Sequence, residues 1–415
     1  MTRRSPLLLF LLTLGFASCK KAPVTPLKNT DKGKSLVLTS LDEQKVTADN
    51  AFTLKLFKNL NGANTAGDNL FVSPLSVSFA LGMTSNGAAG QTFAAFKNTL
   101  NFAGLTEDQV NGYYNNLITN LPQLDPNTTL DIANSIWYRQ GFAVQPLFLQ
   151  TDSSNFHAKI QALDFNNPSA VSTINSWVND NTAGKIPAII NDIPSNAVMY
   201  LVNAIYFKSS WAEKFDPAKT QTKSFFLADH STVQASFMTG NIDFNSYFDN
   251  NADVFELPYS NNKYSMVIAM PASNTTSLND FAAGIDSAQW QTWMSHLIPG
   301  KNDITLPKFK FSYSKILNHA LTDLGLGVAF SDDADFSLIN PTIRLKISQV
   351  VHKAFVETDE SGTTAAAATS VGVIASVAPA PVPPINRPFV FAIREMSSGL
   401  ILFVGVVNNS TLAGN

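Results

Sequence analysis

"ESGTTAAAATSVGVIASVAPAPVPPINRPF", residues 360–389, carries no charged side chain between Glu360 and Arg387. Its first half is Gly, Thr, Ala, Ser and Val, the composition of a segment that adds itself to a β-sheet when left exposed. Its second half holds Pro379, Pro381, Pro383 and Pro384, which suit an extended connection and not a sheet interior. The run Ala365 to Ala368 would by itself favour helix, but the residues around it are strand formers. The stretch therefore reads as a spare strand displayed near the C-terminus. A strand alternates its faces. One face would be Thr363, Ala365, Ala367, Thr369, Val371 and Val373, and the other Thr364, Ala366, Ala368, Ser370, Gly372 and Ile374. Both are uncharged, so neither would have to desolvate an ion on entering a sheet.

The rest of the chain can supply such a sheet. The sequence has 415 residues, 45% of them hydrophobic and 30 of them Phe, enough for a large core in one domain or two. Charged residues make up only 14% and the net charge is −3, so no basic field points to nucleic acid and no acidic tail to a solvating segment.

The N-terminus reads as a signal, not as fold. Arg3 and Arg4 precede an apolar run from Leu7 to Phe16, followed by small residues. Cys19 is the single cysteine, so no intrachain disulfide can form and stability must come from packing. Phe16-Ala17-Ser18-Cys19 resembles the lipobox of a bacterial lipoprotein, with Phe a tolerated departure at its first position. The expected division is a signal peptide over 1–18, a polar tether over 19–40 and one domain over 41–415. The protein is expected to be exported and lipid-anchored at the cell envelope or surface through Cys19, the lipid being its one hold on a membrane. The alternative is a plain secretory signal with a chance cysteine.

Beyond residue 40, Phe52, Leu56, Phe57 and Leu60 recur at helical spacing. "NLFVSPLSVSFALGM", residues 69–83, reads as a strand and then a helix opened by Ser-Pro. Residues 172–190 read as a helix closed by Gly184, and residues 254–272 as a hairpin turning at Asn261-Asn262. Strands are expected over 129–140, 199–211, 303–314, 346–360 and 387–407, with a helix over 315–330 ending near Gly325. Helices dominate the first third and strands the rest, which is an α+β order.

No enzyme signature stands out. The five histidines are His157, His230, His296, His319 and His352, and none falls in a metal-binding or nucleophile motif. Gly184-Lys185 is followed by Ile186, so it is not a phosphate loop. No metal and no cofactor is implied, and His352, between Val351 and Lys353, reads first as a hydrogen-bonded core histidine.

Four segments converge on one family. Residues 69–76 (NLFVSPLS), residues 201–208 (LVNAIYFK) followed by Trp211, residues 346–368 (KISQVVHKAFVETDESGTTAAAA), and residues 387–395 (RPFVFAIRE) with 400–409 (LILFVGVVNN) resemble the signatures of the serpins. They occur in order, and the similarity covers about residues 40–410. The resemblance implies an α+β serpin fold with a large central mixed sheet, additional sheets, about eight to nine helices and an exposed reactive-centre loop near 360–387. It also implies a monomer whose partner is a serine protease, trapped as an acyl-enzyme while the loop enters the central sheet; a cysteine protease is a weaker option.

The resemblance assigns residues as well. Glu360, Gly362, Thr363, Thr364 and Ala365, Ala366, Ala367, Ala368 match the hinge, where small residues favour insertion. Ser73, Ser76, Asn203 and His352 match a polar cluster under the middle of the sheet. Trp211 and Lys308 match the top of the sheet, where Lys308 is expected to pair with Glu360. Counting forward from Glu360 puts the cleaved bond at Ser376–Val377; counting back from Pro388 gives Val377–Ala378, and Ala375 is a third candidate. All are small or β-branched, which points to elastase-like or subtilisin-like proteases with shallow apolar pockets. The competing reading is a non-inhibitory binding or chaperone-like protein on the same fold. An enzyme is the least supported.

Overall fold

The computed structural model describes residues 33–102, 104–363 and 382–413. Its helices are α1 (Ser40–Gly62), α2 (Pro74–Ser85), α3 (Gly90–Thr99), α4 (Glu107–Asn120), α5 (Pro146–Phe156), α6 (Ser169–Asp180), α7 (Leu278–Gly284), α8 (Ser287–His296) and the short α9 (Asn318–Leu321). Local chemistry sets several starts. Thr39 and Asp42 cap α1 reciprocally, and the Ser73 hydroxyl accepts the Ser76 amide ahead of Pro74 at the start of α2. Residues 33–39 already lie on the domain, with the Lys34 amide donating to Leu124 O at 2.9 Å and Asn116 donating to Val37 O at 3.0 Å.

The strands form two sheets. The central six-stranded sheet runs in the order β10 (Phe309–Ile316), β11 (Val351–Asp359), β12 (Gly362–Thr363), β4 (Met199–Ser210), β2 (Thr128–Arg139), β3 (Lys159–Leu163). It is mixed, since β3 joins β2 in parallel while the other neighbours are antiparallel. The second sheet has eight strands, in the order β1 (Leu70–Val72), β14 (Ile401–Val407), β13 (Phe389–Glu395), β8 (Tyr264–Pro271), β7 (Ala252–Pro258), β6 (Thr232–Phe248), β5 (Gln221–Phe226), with β9 (Ile298–Pro307) also paired to β6.

Aromatic packing locks the sheets together. Phe71 stacks on Phe391 and Phe403 with centroids 5.5 and 5.1 Å apart and meets Phe311 of the central sheet edge-on. A Cβ on Gly405 would lie 2.2 Å from Leu70 O, so only glycine lets β1 approach β14 this closely. A separate apolar cluster, including Trp137, Ile174, Val178, Ile186, Val202 and Ala204, seats α6 on the outer face of the central sheet.

Three expected elements differ. The strand expected over 303–314 is two, because the chain changes sheets at Lys308: its amide still donates to Ser236 O at 2.8 Å in line with the β9–β6 ladder, and from Phe309 onward the chain pairs with β11. The helix expected over 315–330 is α-helical only over α9, then becomes a π turn and a 3₁₀ turn, because Gly325 sits at φ +105°. The strand expected from residue 346 begins at Val351; residues 343–350 run irregularly, tied to Asn318 and Ala329.

Candidate functional site

At the top of the central sheet the chain leaves β11, reverses at Glu360–Ser361 and re-enters as β12. There Gly362 pairs with Asp359 and Ser210, and Thr363 with Thr358 and Ser209. Antiparallel on both sides, β12 makes β11 and β4 parallel to each other. Gly362 adopts φ +141°, and a Cβ there would stand 2.2 Å from Ser209 O and 2.5 Å from Ser210 Cα.

A ring of contacts holds this reversal. Trp211 donates its indole N–H to Asp359 O at 2.9 Å and stacks on Tyr259 at 4.7 Å between centroids. The Tyr259 hydroxyl hydrogen-bonds the Thr363 hydroxyl at 2.6 Å. Lys308 Nζ lies 2.8 Å from one Glu360 carboxylate oxygen, and Thr220 donates to the other at 2.6 Å. Burial alone would raise the Glu360 carboxyl, but the Lys308 and Thr220 bonds hold it below the usual glutamate range. Tyr259 and Thr220 were not legible in the sequence. Each is an ordinary residue in a polar stretch, brought to the hinge only by the fold.

The four residues named for the middle of the sheet lie together, but as two arms. His352 Nε2 accepts the Ser73 amide at 3.2 Å, and Ser73 donates its hydroxyl to Leu402 O at 2.7 Å. On the other arm Ser76 donates its hydroxyl to Asn203 Oδ1, and Asn203 donates to Asn134 Oδ1 at 2.7 Å. Asn134, which donates to Phe156 O at 2.8 Å, is a fifth member that the sequence reading missed. Its one visible signal is a polar amide inside the apolar run of β2. Between the arms lies a cleft of about 430 Å³ lined by Ser76, Asn203, Val350, Val351 and His352. Among the described residues β11 and β4 pair only through β12.

Past the loop the chain is anchored again, by Ile385 N donating to Thr305 O at 3.1 Å and Asn386 O accepting from Phe226 N at 2.9 Å. Arg387 donates to Pro271 O at 2.6 Å. Thr364, Ala365, Ala366, Ala367 and Ala368 of the hinge, the cleavage candidates Ala375, Ser376, Val377 and Ala378, and Cys19 lie outside the described residues. Among the described residues no group of three His, Cys, Asp or Glu side chains could hold a metal ion.

A spare segment beginning between two parallel strands above a cleft defines a class of protein. The family model for serpins, serine protease inhibitors, matches residues 47–410. Iripin-8 of Ixodes ricinus is 33% identical over 387 residues, covering 89% of this chain and 94% of its own length. Leukocyte elastase inhibitor of Sus scrofa is 34% identical over 375 residues, 88% of this chain and 98% of its own. Among solved structures, the native-state thermophilic serpin Tengpin superposes with a TM-score of 0.81 at 33% identity, over 91% of this chain and 97% of that one. Human thyroxine-binding globulin complexed with thyroxine gives 0.81 at 30% identity, over 90% and 100%. The chain belongs to the serpin family.

Two predictions come from this geometry. Gly362→Ala should expel β12, because neither the backbone angle nor the space admits a methyl group. The expected loss is about 2 kcal/mol or more, read by thermal denaturation, together with faster proteolysis near Glu360. Unchanged stability and cleavage would sink the idea. The second concerns pH. Burial pushes the His352 imidazole down to about 4 from an ordinary value near 6.5. Its folded pKa is therefore depressed, and the stability it lends is present above pH 6.5 and lost as pH falls toward 4. The span is on the order of 3 kcal/mol. His352→Gln should flatten the fall in melting temperature across that window; an unaltered pH profile would exclude His352 as its source.

Proposed function

We propose that this serpin is inhibitory, a suicide substrate that traps a serine protease by inserting its reactive loop into the central sheet. The observation that carries the reading is the two-residue strand β12, seated between parallel strands whose facing edges below it, among the described residues, pair with no other strand and border the cleft. Continuing both registers of β12 would bring Thr369 level with His352 on one side and Asn203 on the other. A single hydroxyl would then stand between the two polar arms. The same registers put Thr363, Ala365, Ala367 and Thr369 on the face that β11 buries with His352, Ala354, Val356 and Thr358.

The protease serine hydroxyl would attack the carbonyl of Ser376, or of its neighbours Ala375 or Val377. The peptide bond breaks, the new amine leaves with a proton, and an ester joins loop to enzyme. The small side chains at Ser376, Val377 and Ala378 support elastase-like or subtilisin-like targets. We further propose that the chain is exported and anchored by lipid on Cys19, a reading supported by the sequence alone. A second reading, a ligand-binding serpin that does not inhibit, is favoured by the likeness to thyroxine-binding globulin.

Incubating the protein with pancreatic-type elastase and with subtilisin should give a denaturant-resistant complex and a released fragment starting at Val377 or Ala378. Clean cleavage with the protease still active would favour the non-inhibitory reading. In bacterial cells fed labelled fatty acid, the chain should take up label and Cys19→Ser should not; label-free wild-type protein would exclude the anchor.

A further inference from the structure

The lower lip of the cleft is held by a device that strand pairing does not supply. β10 ends at Ile316, opposite Val351, and the last main-chain bond there runs from Leu317 N to Val350 O at 2.8 Å. Below that point, among the described residues, no strand pairs with residues 343–350. Instead the side chain of Asn318, the first residue of α9, bonds the main chain twice. Its Oδ1 accepts Val350 N at 2.8 Å, and its Nδ2 donates to Ser348 O at 2.8 Å. In a parallel ladder a residue accepts from the residue after its partner and donates to the residue before it. The Asn318 amide makes that same pair of bonds around Gln349. One side chain thus stands in for one residue of a missing parallel strand.

We propose that Asn318 is a positioning residue that holds residues 348–350 in strand geometry, ready to accept the lower part of an inserting strand. Gln349, Val350 and Val351 line the cleft directly below His352. Alternate residues of an extended chain turn their main-chain groups to opposite sides. With Ser348 and Val350 turned to Asn318, Gln349 presents its amide and carbonyl to the cleft. Without the clamp these groups have no fixed direction, and a strand entering from the hinge finds its ladder down to His352 but not beyond. The consequence falls late in insertion, after the loop has been cut. This inference rests on the inhibitory reading, but the clamp itself can be read without it.

The test uses the mature chain and its Asn318→Ala and Asn318→Asp variants. Asp keeps the acceptor for Val350 N and loses the donor to Ser348 O. Three quantities are measured with subtilisin or elastase: the rate of loop cleavage, the moles of inhibitor consumed per mole of protease trapped, and amide hydrogen exchange at Val350. For Asn318→Ala we expect an unchanged cleavage rate, with inhibitor consumption and Val350 exchange each rising roughly five- to tenfold, the scale of one or two lost neutral hydrogen bonds. Asn318→Asp should fall between. Faster exchange with wild-type consumption would overturn the positioning role and leave only a local structural one. Unchanged exchange would overturn the clamp. If the wild type traps no protease, the inhibitory reading fails by itself. The clamp is then judged by the rise in melting temperature on loop cleavage, expected to be smaller in Asn318→Ala and equal to wild type if the proposal is wrong.

Discussion

Between Asp359 and Gly362 the main chain reverses within two residues, and the whole central sheet is arranged around that reversal. Gly362 must accept a positive φ against the backbone of Ser209 and Ser210, where no Cβ fits. Trp211 and Tyr259 then close over the turn as a stacked pair, worth about 0.5–1.5 kcal/mol beyond the area they bury. The Lys308–Glu360 pair adds charge at a partly exposed site, where a pair by itself contributes little. Shape and hydrogen bonding therefore decide where the hinge sits.

That placement has a consequence lower in the sheet. With β12 between them at the top, β11 and β4 stand one strand apart and cannot pair directly below. The buried polar groups in the gap must find other partners, since an unsatisfied one costs about 1–3 kcal/mol. They do so by dividing. His352 turns to the Ser73 amide, while Asn203 turns to Ser76 and Asn134. Both arms lean on the start of α2, through Ser73 and Ser76, and none of these hydrogen bonds has to reach directly across the gap between β11 and β4. The neutral state of His352 belongs to the same arrangement, because a protonated ring could not accept from Ser73 N–H.

Much of the fold could be read in advance because its signals are local. Ser73-Pro74 announces α2, the apolar spacing announces α1, and continuous apolar runs announce β4, β13 and β14. The first two small residues of the stretch, Gly362 and Thr363, form the short strand β12. What could not be read depends on distant contacts. Nothing near Lys308 shows that the chain passes there from β6 in one sheet to β11 in the other, and nothing near residue 346 shows that a strand-like run stays irregular until β10 offers a partner at Val351. Asn134 and Asn318 look like many other asparagines here. Their roles are set by Asn203 on a neighbouring strand and by main-chain groups thirty residues away.

The outer face sets a last condition on any strand that enters the cleft. α6 lies across that face on an apolar cluster that includes Val202 and Ala204 of β4 and touches Val351 of β11. Lys185, in the connection after α6, reaches Glu357 at 3.4 Å and sits 4.8 Å from the Phe355 ring centroid, so the connection spans the gap between β4 and β11. An incoming strand must pass beneath this cover, and its outward side chains have to be small enough not to lift it. By the registers of β12, the outward positions down to Gly372 are Thr364, Ala366, Ala368, Ser370 and Gly372, none larger than threonine, and Ile374 is the first large side chain on that face. The bulkier Val371 and Val373 fall on the inward face. Alternation of size, and not only the absence of charge, thus fits residues 364–373 to a slot that is open to the core and roofed by a helix.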